Sequence, residues 1–69
     1  MEDQEYIRMF ALKVKMLRKQ QGLSQEKLAA KAGLHRTYIG MVERSERNPS
    51  LVCIYKIAEG LNINIKELF

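Results

Sequence analysis

Apolar residues recur along the chain at steps of three and four positions, which is the spacing of one face of an α-helix. In the first such segment, residues 4–21, the recurring positions are Ile7, Phe10, Val14 and Leu17. Asp3 is the expected N-cap of this helix, and Gly22 suits the left-handed position just after its end. The pattern therefore predicts a first helix of about five turns.

Two shorter helical segments follow, with a tight turn between them. Ser24 is a good N-cap for the first of the two, and Gly33 suits its end. Its apolar side consists of Leu28, Ala29 and Ala32. The next segment, residues 35–43, carries Ile39 and Val42 on one side. Two short helices joined by a tight glycine turn cross at a large angle, so this pair is predicted to form a helix-turn-helix.

The remaining chain predicts two more helices. Ser50 is the expected N-cap of a fourth helix, and Gly60 is the residue expected to end it. The apolar positions of this helix are Leu51, Ile54, Ile57, Ala58 and Leu61. Asn64 and Glu67 have the spacing of a capping box and predict a short fifth helix. We therefore expect an all-α fold in which residues 1–69 form one compact five-helix domain without strands.

Basic residues concentrate in the middle of the chain. Residues 13–47 contain nine lysines and arginines against three glutamates, a net charge of +6, whereas the rest of the chain carries −2. The pI of the sequence is about 9.5. A basic patch in a small domain indicates a polyanionic partner such as nucleic acid.

The residue types argue against several other functions. The only histidine, His35, and the only cysteine, Cys53, form no nucleophile or metal-binding motif. We therefore predict no enzyme activity, no metal site and no cofactor. A single cysteine forms no internal disulfide and fits the reducing cytoplasm. No apolar run approaches the roughly 20 residues of a membrane span, so we expect no membrane partner.

The third helix carries the residues best suited to read DNA. In a helix-turn-helix, the second helix of the motif enters the major groove with its N-terminal residues nearest the base edges. The sequence places Arg36 there, whose guanidinium can donate two hydrogen bonds to guanine, together with Thr37. Met41 follows one turn later on the same side, and we call these three the reading residues. Gly40 also lies on this side, either to let the backbone approach DNA closely or as a tolerated surface glycine.

Polar and basic side chains flank the reading residues and are expected to contact the DNA backbone. Such contacts position a domain but carry no sequence information. We call this predicted group the backbone-contact residues, and it comprises Gln25, Tyr38, Arg44, Ser45, Arg47 and Asn48. Gln25 stands at the start of the second helix, where free backbone N–H groups attract an anion.

Three stretches of the sequence resemble a known family. They are LSQEKLA at residues 23–29, AGL at residues 32–34 and IGMVE at residues 39–43. Their spacing resembles the Cro/C1-type helix-turn-helix of lambdoid phage repressors, and the resemblance covers nearly the whole chain. Within that group, RTYI at residues 36–39, followed by Glu43-Arg44 and Arg47-Asn48, is most similar to the controller proteins of restriction–modification systems.

The resemblance implies a homodimeric transcription factor that binds palindromic half-sites of a double-stranded DNA operator. It would regulate its own gene and that of a restriction endonuclease. The resemblance also implies a structural ion pair between Arg18 and Glu43, and a dimer interface formed by the last two helices. That interface would draw on Ile63, Ile65, Leu68 and Phe69. Activation would add a contact with RNA polymerase, for which Glu26 is our candidate.

Two positions depart from the family pattern. His35 occupies the N-cap position of the third helix, where the family often has an aspartate, a serine or a threonine. Either this helix start is frayed, or His35 contacts a DNA phosphate, so we add it to the backbone-contact residues. Met41 replaces the polar side chain often used at that reading position, so base preference there does not carry over from relatives.

Two other functions remain open beside the controller. One is an antitoxin, or another protein-interaction module, that represses its own gene, and the other is a small phage-type repressor. In the antitoxin the main partner would be a toxin, and DNA binding would be secondary. Antitoxins usually carry a tail that wraps the toxin, and residues 1–69 show no such segment, so we expect the controller function.

Overall fold

The computed structural model describes residues 2–69, and within this range the regular elements are all helices, joined by turns and loops, without strands. The four α-helices are α1 Asp3–Gln20, α2 Gln25–Ala32, α3 Arg36–Glu43 and α4 Leu51–Leu61, and a 3₁₀ helix covers Ile65–Leu68. Within the described residues, no helix combines the length and the apolar character needed to cross a lipid bilayer. The predicted all-α fold and its helix-turn-helix, formed by α2 and α3, are confirmed.

The predicted fifth α-helix is wrong in type, because Ile65–Leu68 form a 3₁₀ helix. The capping box itself is present: the Asn64 side chain accepts from the Lys66 N–H, and the Asn64 N–H donates to the Glu67 carboxylate, both at 3.0 Å. The Glu67 N–H donates three residues back to the Asn64 carbonyl at 2.9 Å. A segment this short has no room for a ladder of i→i−4 hydrogen bonds, so the tighter helix forms instead.

Helix α1 lacks the side-chain cap that was expected at its start. Glu2 rather than Asp3 occupies the N-cap position, and its side chain makes no capping hydrogen bond. Asp3 becomes the first helical residue, where its charge suits the helix dipole. The end agrees with the prediction, since Gly22 has a φ of +68° and the Leu23 N–H donates to the Arg18 carbonyl at 3.1 Å.

The apolar core lies between α1, the helix-turn-helix and α4. Its largest fully buried side chains are Val14, Leu28, Ile39, Val42, Ile57 and Leu61. Ser24 caps α2 by accepting from the Lys27 N–H at 3.0 Å, and Gly33 closes it with a φ of +68°, as predicted. The core holds α3 by its apolar side and leaves Arg36 and Thr37 exposed.

Gly60 does not end α4, contrary to the prediction. It is buried inside the helix, and a Cβ at this position would lie 3.0 Å from both the backbone nitrogen and the Cβ of Ala32. Glycine here therefore permits close packing of α4 on α2. Ser50 caps the start of α4 as expected, and Asn62, with a φ of 55°, stands just past its end.

One face of α4 is apolar and exposed. Leu51 was expected on the buried side, but its side chain is 66% exposed, because Leu51 is the first residue of α4 and lies outside the core cluster. Val52 is 62% exposed and Tyr55 is 50% exposed on the same side of the helix. We call Leu51, Val52 and Tyr55 the α4 face.

One ion pair is buried within the core. Arg18 Nε and Nη2 donate to the two carboxylate oxygens of Glu43 at 2.7 and 2.9 Å, and Nη1 donates to the Leu23 carbonyl at 2.7 Å. The two charged side chains are only 9% and 2% exposed. The hydrogen bond to Glu43 raises the pKa of Arg18, so the guanidinium stays charged. This pair connects α1, the α1–α2 turn and the end of α3.

We expect Glu43→Ala to destabilise the fold by about 3–5 kcal/mol, because it leaves the Arg18 guanidinium buried without its counter-charge. Urea unfolding followed by circular dichroism measures this loss. Glu46→Ala is the matched control, since Glu46 pairs with Arg44 at the surface and such pairs contribute little. Equal falls in the urea midpoints of both variants would contradict a structural role for the buried pair.

Candidate nucleic-acid interface

The reading residues lie along the side of α3 that faces away from the core. Arg36 and Thr37 are exposed in the first turn, and Met41 is half-buried one turn later. On the opposite side, Ile39 and Val42 are 0% and 1% exposed. The core thus holds the helix in place, while its first turn is free to meet the edges of bases.

His35 caps α3, so the start of this helix is not frayed. Its Nδ1 accepts a hydrogen bond from the Thr37 N–H at 3.0 Å. A ring nitrogen that accepts carries no proton, so the proton of the neutral imidazole lies on Nε2. The ring is exposed and leaves this N–H as a donor. Capping and a phosphate contact are therefore compatible in the same residue.

Gly40 lines a shallow concavity of about 360 Å³ beside α3. The other residues around it are Gln25, Glu26, Arg36, Thr37 and Arg44. Gly40 was expected at the surface but is buried, because the side chains of Arg44 and Gln25 cover it. A Cβ at this position would lie 3.1 Å from Arg44 Nη1 and 3.5 Å from Gln25 Oε1. Side chains cover the glycine, so DNA could reach its backbone only after Arg44 moves.

Gln25 connects this concavity to the buried ion pair. Its Nε2 donates to Glu43 Oε1 at 3.0 Å, and the same oxygen accepts from Arg18. This hydrogen bond orients the amide and leaves the second hydrogen of Nε2 for another acceptor. The geometry is compatible with the predicted phosphate contact of Gln25 at the start of α2.

The two arginines at the edge of the concavity each have a carboxylate partner. Arg36 Nη1 lies 2.9 Å from Glu26 Oε2, and Arg44 Nε lies 3.0 Å from Glu46 Oε2. The contact raises the pKa of Arg44 and lowers that of Glu46, so both groups stay charged. Neither pair was predicted. The pair of Arg44 with Glu46 could have been predicted from the sequence, because the two residues are only two positions apart. The pair of Arg36 with Glu26 could not, because it depends on the turn between α2 and α3.

The loop after α3 carries further backbone-contact residues. Ser45 has a φ of 63°, which is unusual outside glycine, and its carbonyl accepts from Gln4 Nε2 at 3.1 Å. Arg47 Nε lies 3.3 Å from Met41 Sδ, so the arginine covers a reading residue, while Asn48 is exposed. The role of Gln4 was not predicted, because no local pattern links residues 41 positions apart.

Tyr38 is more recessed than the exposed backbone-contact residues His35, Arg44, Arg47 and Asn48. It is half-buried and packs against the core. Burial raises the pKa of Tyr38 to about 12, with a further rise from Cys53 and an opposing effect of Arg47. The phenol is therefore a neutral donor at physiological pH. The pKa of the Cys53 thiol is lowered, most by a hydrogen bond with the Ser50 side chain and next by one with Tyr38.

The predicted dimer residues differ in their exposure. Phe69 is 76% exposed and stacks on Phe10, with ring centroids 5.8 Å apart. Ile63 and Ile65 are half-buried against the core. Leu68 is only 2% exposed, so it belongs to the core of this chain and not to its surface, contrary to the prediction. The α4 face belongs to one of the two helices expected at the interface, although its residues were not named, and it offers more exposed apolar surface.

An outward-facing arginine on the second helix of a helix-turn-helix, flanked by groups suited to phosphate, defines a DNA-binding domain. The helix-turn-helix family HTH_3 matches residues 14–68. The chain belongs to this family, which consists of DNA-binding regulators and is not an enzyme family.

Several similar proteins are controllers. The chain is 49% identical over 61 residues to the control protein C.MunI of a Mycoplasma species, which covers 87% of this chain and 82% of that protein. It is 46% identical over 61 residues to the control protein C.BamHI of Bacillus amyloliquefaciens, covering 87% and 75%. The crystal structure of the restriction-modification controller protein C.AhdI from Aeromonas hydrophila matches with a TM-score of 0.91 at 48% identity, covering 94% of this chain and 98% of that chain. These similarities support a DNA-binding transcriptional regulator.

We expect Gly40→Ala to stabilise the free protein by about 0.5–1 kcal/mol, because alanine favours a helix interior and the tip of Arg44 can move aside. DNA affinity should fall at the same time, since the added methyl group and the displaced arginine occupy the concavity. Thermal unfolding and fluorescence anisotropy with a labelled duplex measure the two effects. A gain in stability without loss of affinity would show that Gly40 is merely tolerated.

Proposed function

We propose that this protein is a homodimeric controller that binds operators of its own gene and of a restriction endonuclease gene. The observation that carries the proposal is the exposed first turn of α3, where Arg36 and Thr37 face away from the core. The similarity to several control proteins supports it. Residues 1–69 would then form a single domain that contains both the DNA-binding surface and the dimer interface.

DNA recognition in this proposal combines base contacts with backbone contacts. α3 enters the major groove, where Arg36 donates to guanine O6 and N7 and Thr37 contacts an adjacent base. Met41 makes an apolar contact deeper in the groove. The phosphates on either side are held by Gln25, His35, Tyr38, Arg44, Ser45, Arg47 and Asn48. His35 contributes the Nε2–H that its capping contact leaves available.

The dimer interface in this proposal centres on the α4 face. A two-fold dimer buries the same apolar surface of both copies, so one exposed patch suffices to form it. The half-buried Ile63 and Ile65 and the exposed Phe69 are the other side chains assigned to the interface. Leu68 supports this surface from the core side. The resulting symmetry matches half-sites about 34 Å apart, one helical turn of DNA.

Activation in this proposal requires a surface that RNA polymerase can reach while the protein is bound to DNA. Glu26 was the candidate for that contact. Its carboxylate pairs with Arg36, a reading residue, so it lies on the side that faces DNA. A polymerase contact through Glu26 would therefore compete with its contact to Arg36.

Arg36→Ala should remove the base preference at one position of each half-site, because the bidentate contact with guanine discriminates by about 1–3 kcal/mol. Arg47→Ala should instead weaken binding to all sequences alike and flatten the salt dependence by about one unit of log–log slope. Selection of bound sites from random DNA, followed by titrations at several salt concentrations, separates the two effects. Exchanged outcomes would reverse the two roles.

Val52→Glu should shift the dimer to monomers, because it places a charge in the apolar interface, and affinity for a palindromic operator should fall with it. Sedimentation equilibrium at micromolar concentration measures the change. Leu12→Glu is the matched control, since Leu12 on α1 is 60% exposed and Val52 is 62% exposed. Dissociation caused by Leu12→Glu alone would place the interface on α1 instead of α4.

A further inference from the structure

A carboxylate lies within the reading surface, although DNA repels negative charge. Glu26 Oε2 is 2.9 Å from Arg36 Nη1, and the side chains of the pair are 72% and 68% exposed. An ion pair this exposed contributes little to folding stability, because water solvates both charges well. Stability therefore does not explain why a glutamate stands beside the arginine that is proposed to read a base.

The geometry of the pair leaves the reading function of the arginine intact. A guanidinium has five N–H groups in a fixed plane, and Glu26 contacts Arg36 through Nη1 only. The remaining N–H groups can still donate to guanine O6 and N7. A side chain tethered on one side has fewer orientations to lose when it meets the base, so binding costs less conformational entropy.

The same pair opposes binding to unrelated sequences. Non-specific affinity comes from lysine and arginine side chains that reach phosphates and release counterions. If Arg36 turned to a phosphate, its pair with Glu26 would break and the carboxylate would stand uncompensated near the DNA backbone. At a guanine the pair can persist. Glu26 therefore disfavours the contact of Arg36 with a phosphate more than its contact with a guanine. Specificity is such a difference between two binding free energies.

We propose that Glu26 is a specificity-determining positioning residue, which holds Arg36 for guanine and keeps it from binding phosphate. The inference rests on the proposed DNA-binding function. The chain offers a matched control in the pair of Arg44 with Glu46, which is also exposed, with side chains 56% and 53% accessible. That pair lies beyond the end of α3 and holds a predicted phosphate contact, so it has no reading role.

The test compares two DNA duplexes. Sites selected by the wild-type protein from random DNA define the operator, and Arg36→Ala identifies the base pair whose preference is lost. The Kd is then measured by fluorescence anisotropy for the operator and for the same duplex with that base pair replaced. The proteins are the wild type, Glu26→Gln, Glu46→Gln, Arg36→Ala and the double variant of Glu26→Gln with Arg36→Ala.

Glu26→Gln should reduce the ratio of the two Kd values by about fivefold or more, the lower end of what an arginine–guanine contact supplies. The loss should come mainly from tighter binding to the replaced duplex. Glu46→Gln should tighten both duplexes equally and keep the ratio. In the Arg36→Ala background, Glu26→Gln should leave the ratio unchanged, because the two residues act together. Thermal unfolding midpoints of the wild type and Glu26→Gln should agree.

Equal tightening of both duplexes by Glu26→Gln, as expected for Glu46→Gln, would overturn the inference and leave the proposed function standing. A changed ratio in the Arg36→Ala background would also overturn it, because Glu26 would then act without Arg36. A wild-type protein that selects no sequence from random DNA would overturn the proposed function itself, and this inference with it.

Discussion

The buried contact of Arg18 with Glu43 is the constraint on which the DNA-facing surface depends. One carboxylate receives two hydrogen bonds from the guanidinium and a third from Gln25, which opens α2. The end of α3, the start of α2 and the end of α1 are thus joined by directional contacts. Apolar packing alone would tolerate small shifts between these helices, whereas a buried bidentate ion pair requires one geometry.

The three arginine–glutamate pairs differ in what DNA can do to them. The pair of Arg18 with Glu43 is inaccessible to a phosphate, so it stays intact when DNA binds and continues to fix α1, α2 and α3 relative to one another. The pairs of Arg36 and Arg44 are exposed to water and contribute little to folding stability, and groups of the DNA can reach both pairs. The same chemical pair is therefore a structural link inside the domain and a contact accessible to DNA on its surface.

Features that depend on a few neighbouring residues were predictable from the sequence. Ser24 caps α2, Gly22 adopts a left-handed conformation, and Asn64 opens a capping box, because each needs partners within four or five positions. Gly60 and Leu51 were assigned wrongly. The local pattern around Gly60 fits a glycine that ends a helix as well as one that packs against another helix. The helical period places Leu51 on the apolar side of α4, but it does not show how far the core extends along that side.

The sequence by itself determined that α3 has an apolar side, which includes Ile39, and an outward side, which begins with Arg36. Both follow from the helical period. Only the tertiary structure decided what surrounds that outward side. The contact of Arg36 with Glu26 spans ten positions, and the side chains that cover Gly40 come from Gln25 in α2 and from Arg44 just past the end of α3. The turn between α2 and α3 brings these residues together, and no periodicity along the chain encodes the angle at which two helices cross.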